Sequence, residues 1–203
     1  MAHCAGRHRI MVRRCAAVVC AVAVTSQQAS AHMVIEGVGG FYGGFLHPIL
    51  NPVHMLALGA LGLFAGQQRG PLLPMAVFAL GVTIGLFAIA LGTGATPSET
   101  ILSTMTIVLG LLVAFAWMPP TLVSAPLVAA AGLSLGLDSP PQAITIAEGN
   151  EMLVGTALGA CLALGLVALA SSLATPKPAK LGVRISGLLI AAAATLLLAT
   201  AFA

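Results

Sequence analysis

The feature that most constrains this sequence is a series of long apolar segments with almost no charge inside them. Six such segments lie near residues 38–66, 71–92, 98–117, 120–137, 149–172 and 181–202. Only 6% of the residues are charged, against about 25% in soluble domains, so the chain cannot cover a water-facing surface. About 20 apolar residues cross a bilayer as a helix. The sequence therefore predicts an all-α fold, a polytopic membrane helix bundle of about six transmembrane helices.

The N-terminus carries the three parts of a secretory signal peptide. Arginines up to Arg14 precede an apolar run that starts at Cys15. Small residues at Ala29 and Ala31 then precede a cleavage site after Ala31. We predict a cleaved signal peptide over residues 1–31 and a membrane domain over 32–203. The mature chain would keep Cys161 as its one cysteine, so no disulfide is expected within it.

The Lys and Arg residues that follow the signal peptide all fall on one side of a six-span topology. If the mature N-terminus is outside, the cytoplasmic loops carry Arg69, Lys177, Lys180 and Arg184, as the positive-inside rule requires. The outer loops then carry Glu36, Glu99, Asp138, Glu148 and Glu151. We predict a multi-pass protein of the inner (plasma) membrane with an acidic outer rim. The basic residues of the signal peptide give no reason to expect nucleic-acid binding once they are removed.

Glycines recur at four-residue spacing in most of the apolar segments. The pairs are Gly39 and Gly43, Gly40 and Gly44, Gly62 and Gly66, Gly81 and Gly85, Gly132 and Gly136, and Gly155 and Gly159. Small residues at this spacing let helix backbones approach closely inside a membrane. We interpret the pairs as packing contacts within the bundle.

Two histidines, an asparagine and two prolines lie together in the first apolar segment. A straight helix would place His47 and His54 on one face, with Asn51 between them, but about 10 Å apart along the axis. Pro48 and Pro52 each lack a backbone donor, so the helix is expected to kink or open between the histidines. Polar residues at membrane depth favour a functional interpretation, and imidazole binds nickel, cobalt, zinc and copper rather than magnesium or calcium.

These residues are candidate ligands of a transition-metal site. The set is His47, His54 and Asn51, joined by His32, whose free amine after cleavage would add a second nitrogen ligand. The competing interpretation is structural: the two histidines hydrogen-bond to neighbouring helices, and Pro48 and Pro52 only shape the bundle.

The first segment resembles the HupE/UreJ family of membrane proteins. The resemblance rests on Ala31-His32, on Gly44-Phe45-Leu46-His47-Pro48, on His54 and on the run from Leu61 to Ala65. The family pattern is His-Pro-x-x-Gly-x-Asp-His, and here Asn51 stands at the glycine and Val53 at the aspartate. The chain also lacks histidine in residues 136–142 and 159–161, where family members carry it. The resemblance implies a nickel or cobalt permease linked to maturation of hydrogenase or urease.

Two functions of different classes remain open on the sequence. One is a membrane permease or uptake accessory for a divalent transition-metal ion, with an outer entrance at Asp138, Glu148 and Glu151. Its partners would be the lipid bilayer, the metal ion as transported substrate and a metalloenzyme-maturation protein, with no tightly bound cofactor. The other is a non-transporting membrane subunit that docks a partner complex. No nucleophile elbow, metalloprotease motif or phosphate loop is present, so we do not expect an enzyme.

Overall fold

The computed structural model describes residues 39–92, 98–139 and 145–201, which form seven helices and no strand. The helices are α1 (Gly40–Leu50), α2 (Pro52–Gln67), α3 (Leu72–Ala90), α4 (Ser98–Phe115), α5 (Thr121–Leu137), α6 (Ile146–Ser172) and α7 (Lys177–Thr200). The all-α prediction is confirmed for this part of the chain. The proposed signal peptide, His32 and Glu36 lie outside the described residues.

In the described part of the chain, fewer helices than the predicted six are long and apolar enough to cross a bilayer. Helices α3, α6 and α7 are long and apolar enough to span a bilayer, and α1 with α2 forms a fourth candidate, bent by 71°. The other two, α4 and α5, are apolar but shorter. At about 1.5 Å per residue, 17 residues of α5 extend for about 25 Å, less than the roughly 30 Å of a typical hydrocarbon core. Six crossings are therefore not confirmed.

Close helix pairs organise the bundle, and glycines lie at their contacts. Helix α1 packs on α6, α3 on α5 and α4 on α7, while α2 packs on both α6 and α4. All the glycine pairs noted in the sequence lie against a neighbouring helix except Gly39 and Gly43, which have no heavy atom within 4 Å of a Cβ built on either. The close approach of backbones is thus the role of these glycines.

Apolar side chains fill the interior and also cover the outside. Buried residues from α2 to α6, among them Phe64, Phe78 and Leu135, form one core cluster. Large apolar side chains such as Leu72, Leu122 and Leu166 are more than half exposed. An exterior of this kind is suited to lipid and not to water. The chain is a multi-pass membrane protein.

Opposite charges lie at opposite ends of the bundle. At one end Gln67 donates to the carbonyl of Val113 and Arg184 to that of Ala114, which brings together the C-termini of α2 and α4 and the N-terminus of α7. This basic end carries Arg69, Lys177, Lys180 and Arg184. The N-termini of α4 and α6 and the C-terminus of α5 lie at the other, acidic end, with Glu99, Glu148, Glu151 and Asp138.

Candidate functional site

The first apolar segment is divided into two helices by a single residue, Asn51. Its backbone N–H still donates to the carbonyl of His47, at 3.0 Å, as the last bond of α1. Its backbone then turns to an extended conformation (ψ 119°), and its side-chain Oδ1 accepts from the backbone N–H groups of Val53 and His54, at 2.9 and 3.2 Å. Asn51 is therefore an N-cap, a position that asparagine favours.

Pro52 occupies the first position of α2. Proline is favoured there because its missing N–H would have no partner inside the helix and its φ is already helical. The first N–H groups of α2 thus bond to Asn51, and the axes of the two helices meet at 71°.

The proline within α1 also releases a carbonyl, and α6 supplies the partner. Pro48 has no N–H to donate to the carbonyl of Gly44, four residues earlier. The hydroxyl of Thr156 on α6 lies 3.2 Å from that oxygen and 2.9 Å from the carbonyl of Met152 in its own helix. The hydroxyl has one proton for both oxygens, so a buried side chain of a neighbouring helix shares its hydrogen bond with the backbone group that the proline leaves open.

The bend brings the two histidine rings together. His47 lies in the last turn of α1 and His54 in the first turn of α2, and their ring centroids are 5.2 Å apart with the planes at 78°. Two imidazoles that share one metal ion through bonds of about 2.1 Å have centroids roughly 5 Å apart. The observed separation thus suits joint ligation, which a straight helix would not allow.

A carboxylate from α5 reaches the second histidine. Oδ2 of Asp138, the C-cap of α5, lies 3.0 Å from Nε2 of His54. The His54 side chain is fully buried (0% exposed), whereas that of Asp138 is 23% exposed. The other ring nitrogen of His54, Nδ1, is buried and has no hydrogen-bond partner in the described part of the chain. His54 therefore has one ring nitrogen next to a carboxylate and one buried ring nitrogen that could accept a ligand bond.

The remaining candidates have different positions. Asn51 uses its side-chain oxygen to cap α2, so in this conformation it shapes the site. Glu148 lies in the first turn of α6, where its backbone packs against Gly40 of α1, and Glu151 is exposed one turn later. His32 lies outside the described residues. Within residues 39–92, 98–139 and 145–201, no three His, Cys, Asp or Glu side chains come together in a way that could hold a metal ion.

The sequence did not predict the contact between His54 and Asp138. We placed Asp138 at the outer rim, and 84 residues separate it from His54. A signal was present, because Val53 stands where the family pattern has an aspartate before the second histidine. Because that aspartate is absent, a carboxylate near His54 has to come from another part of the chain. The packing of α5 identifies it as Asp138.

The histidine site is distinct from a cavity of about 350 Å³ between α2, α6 and α7. This cavity is lined by Leu63, Leu166, Val167, Ala170, Ser171, Val183 and Ser186. Two serine hydroxyls are its polar side-chain groups, so it offers no metal ligand of the expected kind.

Comparison with known proteins gives one match. A family model described as HupE / UreJ protein matches residues 20–197, most of the chain. No curated protein and no solved structure matches it significantly.

Proposed function

The chain belongs to the HupE/UreJ family, and from that premise we propose that it is a membrane permease or uptake accessory for a divalent transition-metal ion. The family is associated with nickel and cobalt uptake and with maturation of urease and hydrogenase, which gives the chain a metal-related membrane role. Nickel and cobalt are the proposed substrates. The ion is cargo in this proposal, and the protein performs no chemical reaction on it.

The observation that supports the proposal most strongly is the pair of histidine rings at the helix break. Their 5.2 Å separation suits one shared ion. Burying an imidazole nitrogen without a partner is costly, and Nδ1 of His54 has none in the described residues. A ligand that accepts this lone pair would remove that cost. His32 and water molecules are the proposed source of further ligands.

The charge pattern supports a direction of approach. We propose that the acidic end faces the outside, with the basic end in the cytoplasm according to the positive-inside rule. The carboxylates of Asp138, Glu148 and Glu151 would then attract a cation to the outer entrance. Asp138 is partly exposed and touches the buried His54, so it would connect the entrance to the site.

A route from the histidine pair toward the basic end would pass buried apolar side chains. Between His54 and the basic end, α2 places Leu58, Leu61 and Phe64 in the core, and each is at most 2% exposed. Phe64 lies about 15 Å along the helix from His54 at about 1.5 Å per residue. A permease would have to move these side chains during transport, whereas an uptake accessory would only need to bind the ion at the outer end.

A non-transporting docking subunit is the competing proposal. One observation favours it: the described residues do not bring three metal-binding side chains together. In that case the bond between His54 and Asp138 would join α2 to α5 and have no part in transport.

Metal accumulation in cells tests the choice. We expect His47→Ala and His54→Ala each to abolish protein-dependent uptake of nickel or cobalt while the protein still reaches normal abundance in the membrane. The reason is that the interhelical packing rests on the glycine contacts. Thr106→Val is the matched control, because Thr106 is buried but bonds only to Leu102 in its own helix. A wild-type protein that gives no protein-dependent uptake would favour the docking subunit. Unchanged uptake in both histidine variants would overturn their role as ligands, and a loss of abundance equal to the loss of uptake would make their role structural.

A further inference from the structure

Asp138 joins a buried imidazole to the outer surface of the bundle. Its carboxylate comes from the end of α5, and it lies 3.0 Å from Nε2 of His54 at the start of α2. The two side chains differ in exposure, 23% against 0%. The bond therefore connects the buried ring of His54 to a group that water can reach.

This geometry selects one tautomer of the neutral ring. A carboxylate only accepts hydrogen bonds, so the proton of a neutral His54 has to be on Nε2. The lone pair is then on Nδ1, the buried nitrogen without a hydrogen-bond partner in the described part of the chain. The same bond fixes the rotation of the ring beside His47.

We propose that Asp138 is a positioning residue for metal binding, which fixes the tautomer and orientation of His54 so that Nδ1 is the ligating atom. This inference rests on the proposed function. Histidines that bind metals commonly donate their other N–H to a carboxylate or carbonyl, which orients the ring and raises its basicity. In this chain the carboxylate comes from a distant helix, since Val53 occupies the position before the histidine.

A purely structural bond would look the same in the metal-free protein. It would join α2 to α5, and its loss would lower stability without changing the affinity for metal. The metal dissociation constant separates the roles, and the tautomer of His54 tests how Asp138 would act on the ring.

The first readout is a titration of the purified protein in detergent with cobalt(II), followed by its visible absorption. We expect Asp138→Ala to raise the dissociation constant about 10- to 100-fold, as loss of such supporting groups typically does. Asp138→Asn keeps an acceptor for Nε2–H but loses the charge, so its constant should lie between those of the wild type and Asp138→Ala. Glu99→Gln is the control: it removes an exposed carboxylate at the same acidic end and should leave the constant unchanged.

The second readout needs no metal. Nitrogen chemical shifts of ¹⁵N-labelled histidine rings report which nitrogen carries the proton, and His47→Ala and His54→Ala assign the signals. We expect His54 to be protonated at Nε2 in the wild type and in Asp138→Asn, and to become a mixture of tautomers in Asp138→Ala.

The outcomes separate the two proposals. Cobalt binding that is equally tight in the wild type, Asp138→Ala and Asp138→Asn would overturn the positioning role and leave the proposed function standing. A wild-type protein that binds neither cobalt nor nickel would overturn both. If Asp138→Ala does not fold, Asp138→Asn decides: a weaker affinity with the Nε2–H tautomer retained supports the role, and wild-type affinity overturns it.

Discussion

Helices α1 and α2 together run alongside α6 in the same direction, yet one path is broken and the other is continuous. Gly40 and Gly44 of α1 contact the start of α6, and Gly62 and Gly66 of α2 contact its second half. Helix α6 extends without interruption over 27 residues. The α1–α2 path bends by 71° at Asn51.

The difference is local chemistry and not a difference in apolarity. Both paths are rich in Gly, Ala and Leu, but only the broken one contains proline, and there Asn51 stands directly before Pro52 and caps a new helix. The continuous helix then supports the broken one, because Thr156 bonds to the carbonyl that Pro48 leaves open. A polar site in this bundle therefore needs two parts: a break that places the histidines together and a straight neighbour that compensates its backbone.

The largest expected effect on stability comes from forcing α1 away from α6. A Cβ at Gly44 would lie 2.7 Å from the carbonyl carbon of Met152 and overlap the backbone of α6. We expect Gly44→Ala to destabilise the protein by about 1–3 kcal/mol, the usual cost of overpacking, and to displace His47. Thermal unfolding in detergent measures the change.

Gly43→Ala is the matched control for that variant. It lies one residue away in the same helix, and a Cβ there has nothing within 4 Å. Alanine is favoured over glycine in a helix by about 0.5–1 kcal/mol, so this variant should be at least as stable as the wild type. Equal stability of Gly43→Ala and Gly44→Ala would contradict the close contact between α1 and α6.

The sequence predicted the elements well and the tertiary contacts poorly. Apolar runs bounded by Pro, Gly and charge are helical in the structure, because a chain in lipid has to satisfy its backbone internally. The turn between α4 and α5 is an example. Ala116 takes a left-handed conformation (φ 51°), Trp117 N–H donates back to the carbonyl of Leu112, and Pro119-Pro120 follows. The prolines indicated that turn, but the left-handed alanine carried no sequence signal.

At the candidate site, too, local features were predictable from the sequence and tertiary contacts were not. Pro48 and Pro52 predict a disturbed helix because their chemistry is local. The sequence did not predict that Asn51 caps α2, although asparagine before a helix-starting proline is a known N-terminal signature. The contact of His54 with Asp138 depends on how α5 packs, which no spacing within the first segment encodes.

The second prediction concerns what holds the break open. From the sequence alone, Pro52→Ala should straighten the helix. In the structure Asn51 also holds it, because its side chain caps α2. We therefore expect Pro52→Ala alone to keep the bend, Asn51→Ala alone to cost about 0.5–2 kcal/mol as a lost cap, and the double variant to straighten the segment.

A distance between spin labels measures that outcome. Labels at Tyr42 and Arg69, both exposed, lie on opposite sides of the break. The background for labelling lacks all four native cysteines, Cys4, Cys15, Cys20 and Cys161. A straight helix between the labelled positions would be about 40 Å long at about 1.5 Å per residue. The bend makes the distance between the two labels several Å shorter than that. Asn51→Asp keeps an acceptor for the cap and is the control. A double variant that keeps the short distance would show that tertiary packing, and not the local residues, imposes the bend.

The smallest expected effect tests the support that α6 gives to α1. Thr156→Val removes the hydroxyl that donates to the carbonyl of Gly44, and interhelical hydrogen bonds in membranes contribute about 0.6 kcal/mol on average. Pro48→Ala restores an N–H that can bond to the same carbonyl within α1. We therefore expect Thr156→Val to destabilise the wild type by about that amount and to have almost no effect in a Pro48→Ala background. A double-mutant cycle of unfolding free energies measures this.

Thr104→Val, which loses a bond only within its own helix, is the control and should act equally in both backgrounds. Additive effects of Thr156→Val and Pro48→Ala would mean that the continuous helix does not compensate the broken one.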